Sequence, residues 1–308
     1  MISRRNIRVK VMQLLYMIEA ADSAAAFARP ADTLQKQIDK SRELFVYLIY
    51  FLTEVARYAE TSARKRASRN LPTAEDLNVN TKIAGNELLW QILEDTSFRK
   101  SIESDLPEKR IDRDLVKKVY EALTATEAYQ QYIAEQGRQK AKEKEIMRLI
   151  FTQLMLPDES FINHVEEQFP NWDDDAEMMD QLVLAYLQKP AAVNLLEFIS
   201  PEKWQFARSL LTTAVEKKEY CTELIKPRLK NWDSERIALL DMVLMRMGVC
   251  ELLYFETIPT KVTINEYIDL AKEYSTPQSG QFVNGILDNI HKELLEAGKI
   301  HKIDFRSK

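Results

Sequence analysis

Apolar residues recur along most of this chain at the spacing of helical faces. Ile7, Val11, Leu14, Leu15 and Ile18 fall on one side of a helix expected from about Ser3 to Ala21. Pro30 is expected to close the connection after it. Leu34, Ile38, Leu44, Phe45, Leu48, Leu52, Val55 and Ala59 then mark the buried side of a longer helix, from about Asp32 to Ala67. After a polar stretch around Pro72, helical patterns return at roughly 81–104, 111–135, 139–155, 159–169, 175–188 and 190–199, with Pro107, Gly137, Pro157, Pro170, Pro190 and Pro201 at their ends. A helix from about Glu202 to Glu219 leads through Pro227 to Asn231-Trp232-Asp233, the expected start of a helix running to about Phe255. That helix is apolar on nearly every side, which places it at the centre of a bundle. Thr263-Ile264-Asn265-Glu266 fits a capping box for a helix ending near Tyr274. After Pro277, Ser279 is expected to cap a last helix carrying Phe282, Ile286, Ile290 and Leu294, and a polar tail follows.

The pattern predicts an all-α fold. Composition agrees: 308 residues contain only six glycines, and 45% apolar residues supply a core without staples. The longest apolar run, Leu44 to Leu52, is too short to span a membrane and reads as buried helix. No secretory signal is visible at the N-terminus, so a cytoplasmic location is expected. Cys221 and Cys250 lie in apolar helical surroundings and read as reduced core residues.

Charge changes the picture only locally. The formal net charge of −5 gives no global reason to bind nucleic acid, but residues 1–20 set Arg4, Arg5, Arg8 and Lys10 against Glu19 alone. Arginines in the first turn of a helix oppose its dipole, and either phosphate oxygens or solvent must offset them. Arg5, Arg8, Met12 and Tyr16 are spaced by three, four and four, so the tyrosine shares a side of the helix with the arginines. Phosphate contacts beside an aromatic ring suit single-stranded RNA, while a place at the rim of the core is the other reading of Tyr16. Arg246, in the most apolar helix, calls for a carboxylate, with Glu251, Glu266 and Asp269 in reach. The mixed charges of 137–148 and the acids of 173–177 require no ligand. His164, His291 and His301 have no metal-ligand spacing to a cysteine, and no phosphate-binding glycine loop occurs. Neither catalysis nor a cofactor or metal is expected.

Two segments resemble the NusB family. Arg4-Arg5-Asn6-Ile7-Arg8 followed by Gln13-Leu14-Leu15-Tyr16 is similar to the family's arginine-rich start, and residues 234–255, 258–272 (IPTKVTINEYIDLAK) and 279–288 (SGQFVNGILD) are similar to its later signatures, in the same order. The resemblance covers residues 3–22 and about 204–296. It implies a NusB-like helical bundle built from 1–22 and 204–296, with 23–203 inserted as an extra helical region and 297–308 as a tail. It further implies a transcription antitermination factor that binds boxA-type single-stranded RNA of ribosomal RNA transcripts together with NusE, a ribosomal protein of the small subunit, and joins the RNA polymerase antitermination complex. The RNA site it implies comprises Arg4, Arg5, Arg8, Tyr16, Gln278, Gln281, Phe282 and Asn284, with Asp241 toward a partner. Gln278 and Gln281 depart from the acid and the Lys or Arg that relatives often carry around this serine and phenylalanine. Phe282 sits at a core-facing spacing, so packing and base contact are both open for it. Asn284-Gly285 inside a helix costs about 1 kcal/mol for the glycine, which close approach of another helix or of a nucleotide would explain. The same fold occurs on some ribosomal RNA methyltransferases, but no glycine-rich turn for a methyl donor occurs here. A helical protein–protein adaptor working through the inserted region is the alternative.

Overall fold

A computed structural model describes residues 2–21, 29–229 and 238–303, and among these every regular element is helical. Helix α1 (Arg4–Ala20) is capped by Ser3, whose side chain accepts from the Asn6 amide. Pro30 opens α2 (Pro30–Ala67) instead of closing a connection, because a missing N–H is harmless in a first turn. At Thr73 a capping box with Asp76 starts α3 (Ala74–Leu77).

The continuous helices expected at 81–104 and 111–135 are each broken, by side chains that cap a new start. Asn86 accepts from the Leu88 and Leu89 amides to open α4 (Glu87–Glu94), and Asp95 accepts from the Phe98 amide to open α5 (Thr96–Asp105). Thr126 separates α6 (Arg113–Thr124) from α7 (Glu127–Ala134). Helix α8 (Lys140–Leu149) runs on into a π-helical stretch, Ile150–Met155, followed by α9 (Glu159–Gln168) and α10 (Trp172–Gln188). The helix expected at 190–199 is a single 3₁₀ turn, Pro190–Ala192. Val193 is extended, and the Asn194 side chain takes the Leu196 amide, a local bond that competes with helix.

The remaining helices are α11 (Pro201–Glu216), α12 (Lys218–Ile225), α13 (Leu239–Tyr254), α14 (Thr260–Tyr274) and α15 (Ser279–Glu296). The start expected at Asn231-Trp232-Asp233 lies outside the described residues. Helix α14 begins one turn before the expected box, with Pro259 at its cap, so Thr263 and Glu266 are interior residues with other partners. Ser279 is the first residue of α15 and not its cap, which is Gln278.

The chain divides into two compact units, Asp39–Phe198 and the combination of Ile2–Ile38 with Ile199–Lys308. In the first, the whole run Leu44–Leu52 is buried, so this part of α2 is surrounded by its unit. Phe51 meets Phe161 at 4.8 Å between ring centres and Tyr47 meets Phe169 at 5.0 Å. No helix among the described residues is long and apolar enough to cross a membrane. Glu143, buried in the same unit, accepts from Tyr132, Arg138 and the Glu87 amide.

In the second unit α13 is the central helix, buried from Val243 to Leu252. A Cβ on Gly248 would stand 3.0 Å from Leu287 and 3.3 Å from Tyr267, so the absence of a side chain lets α14 and α15 close on α13. Cys221 and Cys250 are free and fully buried with Sγ atoms 3.4 Å apart, and their contact, with burial, pushes the Cys250 thiol up. The tail folds back: Lys302 donates to the carbonyls of Glu251 and Phe255, and the Ile303 amide to that of Glu256, satisfying the end of α13.

The corner at α3 has a defined acid response. The Thr73 backbone N–H, with Arg66 next, holds the Asp76 carboxyl down at about 2, below the usual carboxylate range. A folded-state pKa below the unfolded one contributes stability above the unfolded value, near pH 4, and loses it as pH falls toward 2. Asp76→Asn should therefore lower the melting temperature at pH 6, with the gap to the parent closing as pH approaches 2; a constant gap across that range would contradict the assignment.

Candidate nucleic-acid interface

The arginine-rich start of α1 is answered from within the protein. Arg8 is 3% exposed. Its Nε and Nη2 donate to the two oxygens of Glu251 at 2.9 and 2.8 Å, and Nη1 lies 3.4 Å from Glu266. The guanidinium also lies over the rings of Phe206 and Tyr267, at 5.4 and 6.0 Å from their centres. Burial alone would weaken the hold of Arg8 on its proton, but the bonds to Glu251 and the nearby charges overcome this and raise its pKa. Glu251 is completely buried and takes two further bonds, from Thr263 at 2.9 Å and Tyr267 at 3.1 Å. Burial, with the Glu251 charge, drives the Tyr267 hydroxyl well above its ordinary value, so it stays a donor.

Arg8 is accordingly corrected from an RNA contact to a buried joint between α1, α13 and α14. The positive first turn of α1 needs a negative partner, and at Arg8 Glu251 supplies it in place of phosphate. Arg4 and Arg5 are partly accessible, with 41% and 38% of their side chains exposed. Arg4 donates to Glu202 at 2.7 Å, and Arg5 to Glu273 at 2.5 Å with Glu266 at 3.9 Å. Both guanidiniums keep free donors at the rim.

Tyr16 is 43% exposed, but Arg8 and Met12, between it and Arg5 on the same stripe, are buried. Eleven residues of helix separate Arg5 from Tyr16 by about 16 Å. The expected grouping of Tyr16 with several arginines on one open face is therefore not formed.

Arg5 is instead tied to the corner between α14 and α15, since its partner Glu273 lies in the last turn of α14. Gln278, Gln281, Asn284 and Gly285 are exposed along the opening turns of α15. Phe282 faces the other way and is 7% exposed, so of the two readings it takes the packing one. A Cβ on Gly285 would meet nothing within 4 Å, so no other described part of the chain explains a glycine there. From beneath, Ser279 donates to Asp241 at 2.8 Å and accepts from the Thr276 amide at 3.2 Å. Asp241 is 5% exposed, which corrects its expected position on a partner surface: its carboxylate seats the start of α15.

The carboxylate demanded by Arg246 is also corrected. It is Glu19 of α1, bonded through Nη2 to both oxygens, and none of Glu251, Glu266 or Asp269. Glu19, Glu202 and Glu273 carried no local signal, because each meets its arginine across some two hundred residues or more of chain.

The model of a family described as the NusB family matches residues 171–292, from α10 to α15, without α1. Three curated relatives each bear the name transcription antitermination protein NusB. The chain is 42% identical to that of Salinibacter ruber over 102 residues, 33% of this chain and 64% of the relative. It is 38% identical to that of Chloroherpeton thalassium over 97 residues, 32% and 46% of the two lengths. Identity to that of Bacillus mycoides is 42% over 106 residues, 34% of this chain and 81% of the relative. The chain thus spans less than two thirds of the first two relatives' own lengths. No solved structure matches.

Removing one member of the buried pair leaves an uncompensated charge. Glu251→Ala and Arg8→Ala are each expected to cost about 3–5 kcal/mol in urea unfolding, with the double change losing clearly less than the sum. Additive losses in that cycle would contradict a direct pair.

Proposed function

The chain belongs to the NusB family, and we propose that it is a transcription antitermination factor that binds boxA-type single-stranded RNA together with NusE and promotes processive transcription within the RNA polymerase antitermination complex. The observation that carries this reading is the name its relatives share, transcription antitermination protein NusB. Its action is assembly, without covalent chemistry.

The geometry supports a specific version of the site. Gln278, Gln281 and Asn284 present amides that hydrogen-bond base edges, and the open space over Gly285 admits a nucleotide close to the backbone of α15. Arg5, beside that corner, and Arg4 offer phosphate contacts in competition with Glu273 and Glu202. With Arg8 withdrawn into the core, two neutralised phosphates give a log–log salt slope of about −1.4 for a single strand. Tyr16 contributes a stacking surface only to RNA that continues along α1.

The intramolecular neutralisation of Arg4, Arg5 and Arg8 favours a second reading, a helical protein–protein adaptor working through the inserted region. Binding to a boxA-containing RNA, measured by fluorescence anisotropy with and without NusE, separates the two. Binding that tightens with NusE and weakens in Arg5→Glu supports antitermination; no binding under either condition moves the assignment to the adaptor.

Gly285→Ala adds a finer test. The methyl group enters open space in a helix, so the free protein should gain up to about 1 kcal/mol of stability. If RNA approaches the backbone there, the same change lowers RNA affinity. Greater stability with unchanged affinity would remove α15 from the RNA site.

A further inference from the structure

In the unit Asp39–Phe198, the last turns of α2, helix α3 with the loop after it, α6 and α7 surround a cavity of about 800 Å³. That size suits a small-molecule or single-residue ligand. Tyr58, Ser62, Lys65 and Arg69 line it from one stripe of α2 and the turn after it, because their spacing of four, three and four returns to the same face. Tyr120 and Tyr129 line it from the other side. The rings of Tyr58 and Tyr120 lie 5.3 Å apart at 54°.

The charge on this wall is incompletely answered. Arg66 and Arg69 both donate to one oxygen of Asp76, each at 2.9 Å, so a single carboxylate serves two guanidiniums. Sixty per cent of the Arg69 side chain stays exposed. Lys65 lies 5.6 Å above the Tyr58 ring, and among the described residues no carboxylate pairs with it. On the opposite wall Lys117 faces Glu121 at 3.8 Å. An apolar ligand would strip water from these cations without replacing it, and a bare inorganic anion would leave the open part of the Tyr58 ring unused. A ligand with a flat aromatic ring and a phosphate uses both, by stacking on Tyr58 and by charge-assisted bonds to Arg69 and Lys65.

The geometry points to a nucleotide-binding site in this cavity, taking a base against the half-buried Tyr58, with Tyr120 packed behind it, and a phosphate at Lys65 and Arg69. It uses no residue of α1 or α15 and stands apart from the boxA reading. The nucleotide is either free or one residue of a single strand, two sources that share this chemistry.

Calorimetric titration of the full chain with AMP and with octauridylate tests it, on the parent and on Tyr58→Leu and Lys65→Glu. Both variants should weaken binding at least about tenfold. A loss in the octauridylate titration assigns the site to a strand, and a loss with AMP alone assigns it to a free nucleotide. Arg5→Glu, in the other unit, should leave the AMP titration and the Tyr58-dependent part of the octauridylate titration unchanged, which separates this site from the boxA interface. Affinities for both probes unchanged in both variants, or no binding of either probe to the parent, would overturn the proposal. Lys65 is exposed, so its replacement tests charge without disturbing the core. Should Tyr58→Leu unfold, photo-cross-linking of 5-bromouridine-substituted octauridylate to the parent gives the same decision for a strand. Cross-links within 58–69 or 117–130 support the site, and cross-links confined to the other unit overturn the strand assignment.

Discussion

Arg8 and Glu251 meet away from water, and either one without the other would be a buried, unpaired group. A carboxylate that accepts from a guanidinium twice, a threonine and a tyrosine has its lone pairs filled from two other helices at once. Small displacements of α1, α13 or α14 would break bonds whose replacement by water is blocked. This pair consequently sets how the first helix docks, and with it which arginines remain at the rim. The motif that reads as a ligand surface in one dimension is divided in three: one arginine goes inward to hold the bundle, and two stay out with acids beside them.

The same logic runs along α13. Its ionised residues are answered by different elements: Asp241 by Ser279 of α15, Arg246 by Glu19 of α1, and Glu251 by α1 together with α14. Apolar burial alone would allow a uniformly greasy helix to rotate or slide against its neighbours. Polar residues at three levels, each with a partner on a particular neighbour, restrict that freedom. The net stability such buried pairs add is small, because desolvation of the charges offsets most of their attraction.

Much of this architecture was legible from spacing. The all-helical class, the central position of α13 and the buried run of α2 follow from apolar periodicity, which is a local property. Helix breaks were less legible. Asn86, Asp95 and Thr126 end one helix and start another by capturing backbone amides, yet within an amphipathic pattern they look like ordinary polar positions. At 190–199 local side-chain bonding overrode a helical pattern of modest length. A positive first turn does need an anion, but for Arg8 that anion is Glu251, of which sequence spacing gives no view across 243 residues. The burial of Asp241 is illegible for a related reason, since its surroundings depend on how α15 returns to α13.

That separation also has a history in time. Helix α1 leaves the ribosome with Ile7, Val11, Leu14 and Leu15 needing cover, while the carboxylate that Arg8 requires is 243 residues away. At the usual pace of synthesis, roughly 5–20 residues per second, about 10–50 s pass before Glu251 is made. Within that interval the whole of residues 39–198, a compact unit with its own core, is completed, while α1 still lacks its best partners. Early burial of its apolar face against the wrong segment is the misfolding route that this order of segments opens.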